Sequence, residues 1–168
     1  MTRLTADDFN SLYREHARRV QGFFLRMVGG DRPLAEDMTQ ELFSRLWESR
    51  SRYDGTHPFT TWMYSAAYNL CKNHYRHIEV TASAIPQPEE NPLSPAADET
   101  LLREEQKRLL SEAVGRLPEG IREVFLLRYE EELPIREVAQ ILGIPEGTVK
   151  SRSYNALQTL QQAVQQIR

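Results

Sequence analysis

Residues 134–160 read PIREVAQILGIPEGTVKSRSYNALQTL and decide the fold of the last third of the chain. A helix-turn-helix needs a small residue in its first helix, a glycine at the turn and an apolar residue early in its second helix. Ala139, Gly143 and Val149 occupy these positions, and Pro145 stands where the second helix would begin. The stretch therefore predicts two short helices joined by a tight turn. An ordinary helical hairpin within a bundle is the alternative interpretation.

The second of these predicted helices has two unlike sides on a helical wheel. Its apolar side consists of Val149, Ala156, Leu160 and Val164. Its polar side consists of Ser151, Tyr154, Asn155 and Gln158, with Lys150 and Arg152 flanking them. A merely solvated helix face tends to be rich in Glu and Lys, whereas hydroxyl, amide and cationic groups together suit base edges and phosphates. The polar side therefore predicts a DNA-reading surface.

Three helices are predicted before residue 78. Apolar residues recur with a period near 3.6 from Phe9 onward, and this run ends at Gly29 and Gly30, which suit a helix C-terminus. A second helix is expected after Asp31 and runs to about residue 50. A third is expected over residues 58–77. No strand-like alternation separates these helices.

Helical periodicity disappears over residues 78–97, where four of the chain's nine prolines stand among small and acidic residues. This composition is typical of a flexible linker. Periodicity resumes at Leu101 and breaks at Pro118 and again before Pro134. The predicted fold is therefore all-α, with one small helical domain over 1–77, a flexible acidic and proline-rich linker over 78–97, and a second domain over 98–168 that contains the helix-turn-helix.

The composition narrows the class of protein. With 168 residues, 40% of them hydrophobic and 27% charged, the chain is typical of soluble globular proteins. It has no run of ~18 apolar residues, so we expect no membrane span or secretory signal and a cytoplasmic location. Its single cysteine, Cys71, excludes an internal disulfide, and four scattered histidines give no metal-ligand spacing. We therefore expect neither a metal nor a cofactor.

The net charge of −3 conceals a division along the chain. Residues 79–132 contain 13 acidic and 6 basic side chains, a net charge of −7. The rest of the chain contains 15 basic and 11 acidic side chains, a net charge of +4. The acidic total therefore does not exclude nucleic acid as a partner of the flanking segments.

The predicted third helix combines aromatic rings with cations. Its expected core side is the apolar stripe Phe59, Trp62, Met63, Ala66 and Leu70. The opposite side gathers Thr61, Tyr64, Tyr68, Lys72 and Tyr75, with Asn69 and Arg76 at its edge. Because unpaired bases stack on rings while cations follow phosphates, this side predicts binding of single-stranded nucleic acid. The alternative is that the tyrosines pack against neighbouring helices.

The predicted second helix also has two sides. Its apolar side is Ala35, Met38, Leu42 and Leu46, and its polar side is Asp37, Gln40, Glu41, Ser44 and Glu48. Phe43 and Trp47 widen the apolar stripe beyond what a small bundle needs. Carboxylates beside surplus aromatic area suit docking to a basic groove of another protein. A solvated face is the alternative for the carboxylates.

Three stretches together resemble bacterial RNA polymerase sigma factors of the extracytoplasmic function type. They are AEDMTQELFSRLW at 35–47, FTTWMYSAAYNLCKNHYR at 59–76 and LPEGIREVFLLRYEEELPIREVAQILGIPEGTVKSRSYNAL at 117–157. The first two resemble the domain that grips the polymerase clamp and melts the minus-ten promoter element. The third resembles the domain that reads the minus-thirty-five element. The resemblance implies a transcription initiation factor that binds core RNA polymerase and directs it to promoter DNA.

The resemblance also implies roles for single residues. Asp37, Gln40, Glu41, Phe43 and Trp47 match the polymerase-docking pattern. Trp62, Asn69 and Arg76 match the promoter-melting helix, to which the aromatic side adds Tyr64, Tyr68, Lys72 and Tyr75. Thr148, Lys150, Ser151 and Arg152 match the recognition helix, to which the wheel adds Tyr154 and Asn155. Arg152 faces partly inward on the wheel, so the alternative for this residue is to brace the domain by an internal ion pair. The family further implies a separate anti-sigma protein that holds the factor inactive.

Two other classes compete with this interpretation. A stand-alone helix-turn-helix regulator would bind DNA as a free dimer, typically at palindromic sites. An enzyme would use Cys71 as nucleophile and His74 as base, but no orienting third group or oxyanion element accompanies them. We therefore expect no catalytic residue. A gel shift with and without core polymerase distinguishes the regulator from the sigma factor.

Overall fold

The computed structural model describes residues 3–81 and 98–166, and these residues form helices and turns without any strand. The α-helices are α1 at Ala6–Met27, α2 at Arg32–Glu48, α3 at Phe59–Thr81, α4 at Asp98–Gly115, α5 at Glu119–Phe125, α6 at Ile135–Leu142 and α7 at Glu146–Gln166. A 3-10 turn at Arg50–Arg52 follows α2, and a π-helical segment at Leu126–Glu130 follows α5. The all-α prediction is confirmed.

The helices divide into two units. The first contains α1, α2 and α3, which pack on one another, and the second contains α4, α5, the π segment, α7 and most of α6. α3 continues to Thr81, four residues beyond its expected end at residue 77. The rest of the predicted linker over 78–97 lies outside the described residues. The boundaries of the two predicted domains therefore stay predictions.

Local signals in the sequence set the ends of α1 and α2. The Thr5 hydroxyl accepts a hydrogen bond from the Asp8 backbone N–H at 3.2 Å, and the Asp8 carboxylate accepts one from the Thr5 backbone at 3.1 Å. Hydrogen bonds from the Thr5 hydroxyl and backbone lower the pKa of Asp8. Gly29 and Gly30, with φ of +69° and +88°, end α1 in a conformation that favours glycine. Asp31 then caps α2.

The core of the first unit lies where its three helices meet. The largest fully buried side chains there are Val20, Phe23, Phe24 and Met27 of α1, Leu42 and Leu46 of α2, and Met63 of α3. Each such side chain contributes about 1.5–3 kcal/mol when it is removed from water. This cluster therefore fixes which faces of α2 and α3 are left exposed for function.

The predicted helix-turn-helix consists of α6 and α7, and most of it belongs to the second unit. Val138 and Val149 are fully buried, and Ala139 is 8% exposed. Gly143 has a φ of +67°, and the Ile144 N–H donates to the Ala139 carbonyl at 3.1 Å, which closes the turn after α6. The predicted positions of the small residue, the glycine and the apolar residue are confirmed.

The second unit departs from the expected pattern between α5 and α6. The helix widens to a π-helix over Leu126–Glu130, and the Glu131 N–H donates to the Leu126 carbonyl at 2.9 Å. Glu132 follows with a φ of +56°, a left-handed conformation that is costly for a residue with a side chain. Apolar periodicity alone predicted only a helix that breaks before Pro134.

Candidate nucleic-acid and protein interfaces

The outer face of α7 consists of side chains that do not enter the core of the second unit. On the packing side, Val149 and Ala156 are fully buried and Leu160 is 6% exposed. Lys150, Ser151, Tyr154, Asn155 and Gln158 are exposed and form what we call the α7 outer face. The expected packing of Val164 is wrong, because this residue near the end of α7 is 46% exposed. The polar side of α7 is otherwise where the wheel predicted it.

Hydrogen bonds within α7 order several groups of this outer face. The Ser151 hydroxyl donates to the Thr148 carbonyl at 3.1 Å, which leaves its oxygen able to accept a further bond. The Gln158 amide donates to the Tyr154 hydroxyl at 2.7 Å, and the Tyr154 ring is 63% exposed. Thr148 itself is half-buried. The face thus presents hydroxyl, amide and ammonium groups without a carboxylate, which is compatible with base edges and phosphates.

Arg152 does not belong to the α7 outer face. Its side chain is half-buried, and its guanidinium lies against Gly120 in the first turn of α5. Sequence reasoning grouped Arg152 with the DNA-facing residues because the motif spacing matches, and the wheel also gave it a partly inward position, with which its half-burial agrees. No sequence signal identified Gly120 as its neighbour.

The aromatic side of α3 is oriented differently from the prediction. Tyr64 is 2% exposed and packs its ring edge-to-face on Phe23 at a centroid distance of 5.4 Å, so the prediction that it faces outward is wrong. Thr61, expected on the same side, is also 2% exposed. The helix turns this side inward because Met63, Tyr64 and Ala67 share the buried stripe. A buried ring cannot stack on a base while the unit stays folded.

The outward side of α3 consists of Trp62, Asn69, Lys72, Asn73 and Arg76, which we call the α3 outer stripe. Trp62 was expected in the core but is half-buried, and its ring stacks on Tyr53 at a centroid distance of 5.1 Å and an interplanar angle of 29°. Asn69, Lys72 and Arg76 are exposed. The contact between Tyr53 and Trp62 was missed because the two are nine residues apart across a loop, a spacing that no periodic pattern detects.

Two further tyrosines of α3 are only half-buried. The Lys72 ammonium lies 5.3 Å from the centre of the Tyr68 ring, a cation–π contact at the border of the outer stripe. The Tyr75 hydroxyl donates to the Met27 carbonyl in the last turn of α1. Tyr68 therefore lies beside the outer stripe, whereas Tyr75 is tied to α1.

The polar side of α2 is exposed as predicted, but one of its two aromatic anchors is not. Asp37, Gln40, Glu41, Ser44 and Glu48 form what we call the α2 carboxylate face. Phe43 is 4% exposed and packs edge-to-face on Tyr13 of α1, with a distance of 4.8 Å between the ring centroids. The expectation that its side chain is available for docking is therefore wrong. Trp47 is half-buried, and its ring lies between two neighbours. The Phe9 ring centroid is 5.1 Å from that of Trp47, and the Arg50 Cζ is 3.7 Å from the centre of the Trp47 ring.

The groups considered for catalysis do not form a site. Cys71 is fully buried in the first unit, so its sulfur cannot reach a substrate. Within residues 3–81 and 98–166, no three His, Cys, Asp or Glu side chains are grouped so as to hold a metal ion. Over the same residues no helix is long and apolar enough to cross a bilayer. The candidate sites are therefore the three exposed surfaces.

Two family profiles match the chain. The profile described as Sigma-70 region 2 matches residues 12–79, and the profile described as Sigma-70, region 4 matches residues 107–160. The α2 carboxylate face and the α3 outer stripe fall within the first match. The α7 outer face falls within the second.

Curated relatives match over nearly the whole length. The RNA polymerase sigma factor CarQ of Myxococcus xanthus is 31% identical over 159 residues, covering 93% of this chain and 88% of the relative. The ECF RNA polymerase sigma-E factor of Escherichia coli K12 is 30% identical over 170 residues, covering 94% and 86%.

Solved structures share the fold. CnrH, solved with the cytosolic domain of CnrY, is similar with a TM-score of 0.72 at 21% identity, covering 96% of this chain and 90% of that one. The sigma factor RpoE, solved with the anti-sigma factor NepR from Bartonella quintana, has a TM-score of 0.75 at 18% identity, covering 97% and 100%.

Proposed function

Because the chain belongs to the extracytoplasmic function family of RNA polymerase sigma factors, we propose that its three exposed surfaces divide the work of transcription initiation. The chain is an initiation factor that directs polymerase to promoters. In our proposal the α2 carboxylate face docks on core polymerase, the α3 outer stripe opens the minus-ten element, and the α7 outer face reads the minus-thirty-five element. The observation that carries this division is that each surface is exposed and chemically different from the other two.

At the minus-thirty-five element, α7 enters the major groove with its outer face toward the bases. Ser151 and Asn155 provide a hydroxyl and an amide that pair with base edges, and the exposed Tyr154 ring provides an apolar contact for a thymine methyl. Lys150 fixes the register by contacting a phosphate. Thr148 is half-buried at the start of α7, and its carbonyl supports the first turn by accepting a hydrogen bond from the Ser151 hydroxyl.

At the minus-ten element, the α3 outer stripe holds the separated strand. The Trp62 ring lies at one end of the stripe, where an unpaired base can stack on it, and Tyr68 lies at its border. Lys72 and Arg76 follow the phosphates, and Asn69 lies between them and Trp62 as a hydrogen-bonding group. Tyr64 has no part in this surface. Tyr75 holds α3 against α1 through its hydrogen bond to the Met27 carbonyl and does not stack on a base.

Docking on core polymerase uses the α2 carboxylate face with Trp47 at its edge. Asp37 and Gln40 offer acceptors to a basic groove, while Glu41 already pairs with Arg45 at 2.5 Å and would exchange that partner. Trp47 is the aromatic anchor because Phe43 is occupied in the core. A groove of about 550 Å³ between α1 and α2 borders Gln40 and adds concave area to this surface.

Binding of core polymerase by the variant Trp47→Ala, Asp37→Ala tests the docking assignment. Loss of a central aromatic anchor costs ~2 kcal/mol or more, so affinity should fall by about 30-fold. Glu15→Ala, which removes an exposed carboxylate from α1, is the matched control and should bind as the original chain does. Unchanged affinity of a folded double variant would remove the α2 carboxylate face from the proposal.

Transcription with reconstituted holoenzyme tests the function as a whole. The chain and core polymerase are incubated with genomic fragments, and the start sites that depend on the chain are mapped. We expect discrete start sites that share two upstream elements. A gel shift without core polymerase is the companion experiment, because tight, dimeric binding to a palindromic site would support the stand-alone regulator instead.

A separate anti-sigma protein is the expected regulator. RpoE was solved with the anti-sigma factor NepR. For this chain we propose a partner that covers the α2 carboxylate face. Purification from native cells under non-inducing conditions should recover a complex with that partner, whereas only free chain or holoenzyme would count against it. We further propose that the chain acts in the cytoplasm and has no catalytic activity of its own.

A further inference from the structure

Arg152 occupies the border between the packing side and the outer face of α7. Its neighbours one turn away, Val149 and Ala156, are fully buried, and Ser153 beside it is 7% exposed. The exposed residues Ser151 and Asn155 flank Arg152 on the side of the outer face. A side chain at this position is directed toward α5, which packs against α7 in the second unit.

The guanidinium of Arg152 fits over a residue without a side chain. A methyl carbon placed on Gly120 would lie 2.9 Å from Nη1 of Arg152 and 3.2 Å from its Cζ. The next nearest atom is Nε of the same arginine, at 3.7 Å. The three atoms nearest to that point therefore all belong to this guanidinium. Among the described residues Arg152 makes no ion pair, so the contact is one of packing.

We propose that Arg152 is a positioning residue that sets the angle of α7 against α5. In this proposal residue 120 must be glycine because a side chain there would displace the guanidinium. The inference rests on the proposed function of α7 as the helix that reads duplex DNA. An arginine stem packs along apolar surface, and its planar guanidinium is weakly hydrated, so such a contact stabilises one orientation without a charged partner. The phosphate register is then left to Lys150, which is exposed on the outer face.

The salt dependence of promoter binding separates positioning from phosphate contact. Removing one phosphate contact reduces the slope of log K against log salt by about one, whereas a positioning residue changes affinity without changing the slope. Holoenzyme binding to the promoter mapped above is measured at several salt concentrations. Lys150→Ala is the reference for a lost phosphate contact.

Three variants then test Arg152. Arg152→Ala should weaken promoter binding about three- to tenfold, the scale of one lost packing contact, with an unchanged slope. Arg152→Gln keeps a planar, uncharged group over Gly120 and should retain most of the affinity. Gly120→Ala keeps the charge but displaces the guanidinium, so it should weaken binding as Arg152→Ala does, even though alanine favours the helix and should not lower the melting temperature.

The double variant Gly120→Ala, Arg152→Ala should bind no more weakly than Arg152→Ala, because the added methyl acts only through the guanidinium. Additive losses would overturn the proposal. So would a slope reduced by about one in Arg152→Ala, or unchanged affinity in Gly120→Ala. If Lys150→Ala and Ser151→Ala also leave binding unchanged, the failure lies in the proposed function of α7, and the positioning role falls with it.

Discussion

The two units differ in whether their candidate functional residues also belong to the hydrophobic core. In the second unit the α7 outer face shares no residue with the core, so its polar side chains are available without cost to packing. In the first unit Tyr64 and Phe43, both candidates for function, are core residues, and Trp62 and Trp47 are half-buried. Substitutions should therefore separate function from stability in the second unit and mix the two in the first.

The difference arises from the residue types that each surface uses. Hydroxyl, amide and ammonium groups are costly to bury, so a helical wheel places them outside with little ambiguity. Aromatic rings lose little by burial, and the tyrosine hydroxyl needs only one hydrogen-bonding partner, so a wheel does not decide on which side they lie. Tyr64 packs on Phe23 in the core, whereas the larger Trp62 lies partly outside.

The largest effect is expected from Tyr64→Ala. Truncation of a buried aromatic side chain to alanine typically lowers the free energy of unfolding by about 3–5 kcal/mol. Because the Tyr64 ring packs on Phe23 in the core, chemical denaturation of the isolated chain should show a loss of this size. Promoter opening should then be lost with the fold.

Tyr64→Phe is the matched control, because it keeps the ring and removes only the hydroxyl. We expect promoter opening close to that of the original chain. Strong loss of opening in Tyr64→Phe at unchanged stability would mean that Tyr64 meets DNA, and the distinction between the α3 outer stripe and its buried stripe would be wrong.

A smaller and mixed effect is expected from Trp62→Ala. Loss of a base-stacking ring costs about 1–3 kcal/mol of promoter opening, while the lost stack on Tyr53 lowers the free energy of unfolding by about 1 kcal/mol. Permanganate footprints of the promoter bubble measure the first, and denaturation measures the second. Tyr75→Phe, which keeps the ring and removes the hydrogen bond to Met27, should leave the footprint intact. A normal footprint in folded Trp62→Ala would show that the α3 outer stripe does not take part in promoter melting.

Sequence reasoning predicted the helices and the helix-turn-helix because these depend on local rules. Ala139, Gly143 and Val149 stand where the turn demands them, and Gly29 and Gly30 end α1 as expected. The α7 outer face was predicted for the same reason, since one helix and one wheel suffice. The polar side of α2 was predicted in the same way.

The features that sequence reasoning missed depend on contacts between elements. Phe43 is buried because α1 brings Tyr13 to it, and Trp62 is stacked because a loop returns Tyr53. The wheel indicated a partly inward position for Arg152, but not its neighbour Gly120, which α5 brings to it. None of these neighbours lies within one turn in the sequence, so no periodic pattern contains them.

A function-only effect is expected from Ser151→Ala combined with Asn155→Ala. Lost base contacts should relax the preference at the affected positions of the minus-thirty-five element by about 1–3 kcal/mol each. Because both side chains are exposed, the free energy of unfolding should change by less than about 0.5 kcal/mol. Binding to a set of single-base promoter variants measures the preference. Unchanged preference would show that the α7 outer face is misassigned, and a large loss of stability would show that the second unit also mixes function with packing.

The smallest effect, on stability alone, is expected from Glu132→Gly. Glu132 is exposed and has a φ of +56°, which costs a residue with a side chain about 1–2 kcal/mol relative to glycine. The greater freedom of glycine in the unfolded chain offsets about 0.4–1 kcal/mol of this, so the variant should gain about 0.5–1 kcal/mol. Glu132→Ala keeps the strained Cβ and should gain nothing, which separates relief of backbone strain from removal of charge. Promoter binding should be unchanged in both variants, because the turn before α6 lies outside the α7 outer face. A change in promoter preference with Glu132→Gly would show that the conformation of this turn affects the position of α7. Function and stability would then not be separable in the second unit.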